Sequence, residues 1–132
     1  MNNHFFFLAG AGLIAVIGII HSVLGEVLIF RRMRISGWVP TDGGSILLER
    51  HVRILWATWH LVTVIGFLVA VLILHLGQAA RAGLSDHLLL NGVVGAMALS
   101  AALVLVGTRG RHPGWVGLLA VALLVAAGAY AP

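Results

Sequence analysis

"FFFLAGAGLIAVIGIIHSVLGEVLIF", residues 5–30, decides the fold, because its 26 residues hold no charge before Glu26. A helix that crosses a bilayer needs roughly 20 apolar residues, with a range of about 17–25. Three further apolar runs follow, Ile54 to Leu76, Leu88 to Val106 and Trp115 to Tyr130. Of the 132 residues, 61% are hydrophobic and 9% charged, and the mean hydropathy is +1.08. A soluble domain of this size has too little interior to hide so much apolar surface. The pattern predicts an all-α integral membrane protein, a four-transmembrane-helix antiparallel up-and-down bundle. It forms a single domain over 1–132, with helices at about 5–30, 54–76, 87–106 and 114–131.

The last run rises only about 24 Å and borrows Gly114 and Ala131 to cross. The first lacks the basic start of a secretory signal and carries His21 and Glu26 where a small-residue cleavage site would stand, so it is expected to stay in the mature protein.

All eight basic side chains are arginines. Arg31, Arg32, Arg34, Arg50 and Arg53 flank the first connection, 31–53, and Arg109 and Arg111 lie in the third. The second holds only Arg81. This bias puts connections one and three in the cytoplasm and both termini outside, in a multi-pass protein of the bacterial inner membrane. The net charge of +4 follows from that topology and is no footprint of nucleic acid. With no cysteine, thiolate metal sites, disulfides and thiol catalysis are excluded.

The connections carry turn and cap signals. "PTDGG" reads as a turn, and Ser45 as the cap of a short amphipathic helix running into the second span. Ser85 and Asp86 suit the start of helix three, and Pro113 the first position of helix four. Small residues four apart, Gly18 with Ser22, Gly92 with Ala96 and Ala98 with Ala102, predict close helix approach.

Chemistry rests on the few polar residues inside the runs. His21 lies roughly 13 Å from the cytoplasmic end of helix one and His60 roughly 9 Å from that of helix two, so neighbouring helices could offer both to one site. Gly18 and Gly25 flank His21 on its own face, leaving a notch for a flat cofactor or a close helix. Glu26 is turned about 140° from His21 and shares a face with Ser22, pointing toward Arg53, His51 or His112. On helix two, Arg53, His60 and Phe67 recur every seven residues, with Trp56 and Thr63 beside them.

An ionisable residue inside a span is a functional-site hypothesis by default. The favoured reading is a site for a divalent metal or a b-type haem. His21, Glu26, His60 and His112 are the metal candidates. His21 and His60 are the haem ligands, with Arg53 and Arg111 as counter-charges. Alternatives are a small proton-coupled transporter working through Glu26, or a structural or assembly subunit whose His and Glu tie the helices together. Catalysis, transport and structure all stay open. The partners expected are the lipid bilayer and a homodimer or larger membrane complex, without nucleic acid.

"HSVLGE" at 21–26, "RILWATWH" at 53–60 and "GRHPGW" at 110–115 together resemble a group of small, uncharacterised four-helix bacterial inner-membrane proteins. The resemblance covers most of the chain, supports the topology and carries no activity. It draws attention to His21, Glu26, Arg53, Trp56, His60, Arg111 and His112. A carboxylate in the first of four helices also resembles the small multidrug resistance transporters. Here, though, Glu26 lies near a helix end, the first connection is longer and the arginines are one-sided.

Overall fold

The computed structural model describes residues 3–82, 84 and 86–130. Among them are four α-helices and no strand: α1 Asn3–Leu28, α2 Glu49–Arg81, α3 His87–Gly107 and α4 Gly114–Tyr130. A 3₁₀ turn, Phe30–Met33, follows α1. Three helical segments, Asn3–Met33, Glu49–Ala80 and His87–Gly107, are long and apolar enough to cross a membrane, and α4 is a shorter apolar helix. Only 17–22% of their most apolar windows is buried. Ile and Leu side chains such as Leu8, Ile19, Leu68 and Leu103 are instead exposed, as lipid-facing residues would be.

The chain divides into two compact units, 1–17 with 67–132, and 18–66. In the first, one cluster of buried residues draws on all four helices: Phe7 and Ile14, Ile73 and Leu76, Leu90 and Met97, Val121 and Val125. Phe7 is 1% exposed. It fits because two helices offer glycine against it. A Cβ built on Gly77 would stand 2.8 Å from Phe7 Cβ, and one on Gly128 would stand 2.8 Å from the ring. The pairs Gly92 with Ala96 and Ala98 with Ala102 do not serve this purpose: all four residues are exposed, and nothing lies within 4 Å of a Cβ on Gly92.

Helix ends follow local chemistry. The Asp86 carboxylate accepts the Leu89 N–H at 2.9 Å, capping α3 as expected. Ser85, the other cap candidate, and Ala131 lie outside the described residues. At its far end α3 closes through Arg109 at φ 52° and Gly110 at φ 74°, the Gly110 N–H reaching the Leu105 carbonyl at 2.7 Å. Pro113 directly precedes α4 and its carbonyl accepts the Val116 N–H. Ser45 is not a cap: it sits in the turn closed by the pairing of Gly43 with Leu47, and α2 begins only at Glu49. Asp42 organises that turn, accepting the Gly44 N–H at 2.9 Å and stopping a helix from starting at Ser45.

Replacing Gly128 with Val should destabilise the detergent-solubilised protein by about 1–3 kcal/mol through overpacking. Adding Phe7→Ala should recover part of that loss, a non-additivity readable by thermal unfolding.

Candidate functional site

In the unit of residues 18–66, the second half of α1 and the first half of α2 run antiparallel, since rising numbers on one meet falling numbers on the other. Their contact is a ladder of polar and aromatic side chains. Thr63, 7% exposed, donates its hydroxyl to the Gly18 carbonyl at 3.0 Å. Ser22 Oγ lies 2.8 Å from Thr63 Oγ1 and 2.9 Å from His60 Nδ1. Trp59 donates its indole N–H to the His21 carbonyl at 3.0 Å, and its ring lies in the notch at Gly25, where any Cβ would collide with it. His21 stacks on Trp59, centroids 4.3 Å apart and planes 9° apart. Phe30, 2% exposed, meets Trp59 edge-on at 5.7 Å.

Three side chains face Glu26. Arg34 forms an ion pair with it, Trp56 donates its indole N–H at 3.3 Å, and His60 Nε2 stands 3.6 Å from Oε2. Arg34 reaches Glu26 because α1 stops at Leu28 and the 3₁₀ turn redirects the chain. A continued helix would carry position 34 about 12 Å beyond position 26. The connection is folded on itself: Arg34 Nε–H donates to the Trp38 carbonyl at 2.7 Å, and the Thr41 and Asp42 N–H groups both donate to the Met33 carbonyl at 2.9 Å.

The order of the hydroxyl chain has a chemical consequence. A carbonyl can only accept, and a hydroxyl has one hydrogen to give. With Thr63 donating to Gly18, Thr63 must accept from Ser22, and Ser22 must accept from His60. When all three bonds are made, His60 carries its hydrogen on Nδ1. Nε2 then faces the Glu26 carboxyl, too far for a good hydrogen bond. A neutral ring turns a lone pair toward the carboxylate, and attraction follows only when a proton is added at Nε2 or on Glu26.

The predicted site residues are therefore distributed as follows. Ser22, Glu26, Trp56, His60 and Thr63 come together. His21 lies beside them through its stack on Trp59. Arg53, which the sequence offered as a partner for Glu26, pairs instead with Glu49 one turn away on α2, Nη2 to Oε1 at 2.6 Å, and both are exposed. The contact face of α2 is thus Trp56, Trp59, His60 and Thr63, spaced by three and four. The seven-residue row of Arg53, His60 and Phe67 is split, since Arg53 and Phe67 are exposed. Arg111 and His112 belong to the other unit. There His112 Nδ1 accepts the Gly114 N–H at 3.0 Å, a local cap at the start of α4. His51 is exposed near the start of α2. An open cleft of about 470 Å³ lies between residues 35–41 and the start of α2, lined by Glu49 and Arg53 but by neither His21 nor His60.

This arrangement offers a metal or haem little. Both ring nitrogens of His60 face α1 partners, the notch beside His21 is filled by Trp59, and no three His, Cys, Asp or Glu among the described residues are grouped to hold a metal. Comparison with protein-family models, curated proteins and solved structures finds no match.

Ser22→Ala breaks the hydroxyl chain at its centre. The cost should be about 1–2 kcal/mol, the range of one or two hydrogen bonds between helices in a membrane, measured by unfolding in mixed micelles. Gly25→Ala should cost more, with loss of the near-ultraviolet dichroism of Trp59, because the indole must leave its notch.

Proposed function

We propose that this chain is a four-span protein of the bacterial inner membrane, an antiparallel up-and-down bundle with both termini outside, and that it works as a small proton-coupled transporter. The spans are supported by the apolar helices and the orientation by the one-sided arginines. One arrangement carries the proton-coupled reading: when the hydroxyl chain from Gly18 through Thr63 and Ser22 is fully made, it directs the hydrogen to His60 Nδ1 and leaves Nε2 opposite Glu26.

Glu26 and His60 then hold one exchangeable proton between them. A proton arriving from water adds at Nε2, giving an imidazolium beside a carboxylate, or at Glu26, which then donates to Nε2. In the second form the charge paired with Arg34 is gone, and the first connection loses its tie to α1. Proton uptake thereby changes the contacts at one end of the α1–α2 hairpin, which is what coupling to a transported solute requires.

A second reading has its own support. The same ladder fastens two helices, and in a structural or assembly subunit this would be its whole role.

Full-length protein in lipid vesicles separates the two. An imposed pH difference should drive proton uptake that falls at least about tenfold, or ~1.4 kcal/mol, in Glu26→Gln and His60→Ala. Unchanged proton uptake in both variants would leave the structural reading. An optical spectrum and metal analysis of the same sample test the metal and haem expectation, for which a Soret band or stoichiometric metal lost in His21→Ala would be required.

A further inference from the structure

We infer that the connection between α1 and α2 is a docking face for the phosphate groups of anionic lipids, an inference that rests on the spanning reading of the two helices. Three large apolar side chains stand out from it: Ile35 is 76% exposed, Trp38 90% and Ile46 87%. They are held there by a fixed backbone. Met33 takes two N–H groups, Arg34 ties the Trp38 carbonyl, Asp42 closes its turn, and Gly43 pairs with Leu47. Pro40 and Val52 are buried beneath. The apolar groups are thus presented outward by construction.

Charge says what they meet. Of the arginines around this segment, Arg34 is paired with Glu26 and Arg53 with Glu49. Arg31, Arg32 and Arg50 are exposed and take part in none of the ion pairs among the described residues. They stand just after α1 and at the start of α2, where an apolar helix would meet lipid headgroups. Tryptophan favours that layer, and arginine is drawn to anionic headgroups beneath it. The segment begins and ends on two apolar helices, so it is tethered at the bilayer surface. A soluble protein partner would have to compete with lipid for the same apolar and cationic groups.

The test uses the full chain in vesicles of phosphatidylcholine, alone or mixed with phosphatidylglycerol. The fluorescence of Trp38 is isolated as the difference between the unaltered chain and Trp38→Phe. It should be quenched by lipids brominated near the glycerol and protected from iodide in the water. Spin-labelled phosphatidylglycerol should bind in preference to spin-labelled phosphatidylcholine. Each arginine near an anionic surface is worth about a fivefold change in partition, so the combined Arg31→Gln, Arg32→Gln and Arg50→Gln variant should lose most of that preference. Trp38 quenched by iodide and untouched by brominated lipid would overturn the inference and leave the face to a protein partner. An undiminished preference in the triple variant would overturn the role of the arginines. Extraction at alkaline pH keeps the two failures apart. A chain that resists extraction with Trp38 in water refutes only the docking face, whereas a chain released from the vesicles refutes the spanning reading as well.

Discussion

A polar side chain on an apolar helix must find its partner in protein, because lipid offers none. On the spanning reading, that constraint organises the unit of residues 18–66. Thr63 and Ser22 are short, so their hydroxyls reach only a facing helix or their own backbone, and here they reach across to Gly18 and His60. Close approach is needed for such short reach, and glycine allows it. At Gly25 the backbone of α1 comes against the flat face of Trp59, which in turn is pinned by its N–H on the His21 carbonyl. Apolar contact and hydrogen bonding therefore set the same register, and sliding the helices by one turn would break both.

The core of the other unit is packed by shape. Phe7 fills the space left by Gly77 and Gly128, and Ile73, Val121 and Val125 are wholly buried around the same core. Such packing has no charge to lose and no proton to exchange. Around that core Tyr130 donates its hydroxyl to Asn91 Oδ1 at 2.6 Å, a polar contact between α3 and α4.

Helix number, approximate bounds and the shared face of Trp56, His60 and Thr63 on α2 were legible because apolar runs are long and polar interruptions few, whereas the meeting of Glu26 with Trp56 was not. Gly18 with Ser22 was readable as a place of close approach for the same reason. What escaped was everything that depends on where a helix stops. Arg34 is eight residues beyond Glu26, and a straight helix puts them on different turns; only the break at Leu28 and the 3₁₀ turn join them. Arg53 was misplaced because a partner one turn away on the same helix, Glu49, outcompetes a distant one. The notch beside His21 suited a flat cofactor or a close helix equally, and spacing alone carries no information on which indole arrives to fill it.

The ion pair with Arg34 makes the ends of this network interdependent. Arg34 holds Glu26 with its guanidinium and the Trp38 carbonyl with its Nε–H, so one side chain spans from the Glu26–His60 pair to the surface connection. Losing the charge on Glu26 frees one end of that link, and moving Trp38 pulls on the other. Ordinary exposed ion pairs are worth little because water replaces either partner. This one is about a quarter exposed, 23% at Arg34 and 31% at Glu26, and it shares its carboxylate with an indole and an imidazole. The carboxylate therefore cannot turn to follow Arg34 without leaving Trp56 or His60. The conformation of a surface loop and the protonation of the Glu26–His60 pair between α1 and α2 are in this way written into the same carboxylate, and a change at one end bears on the other.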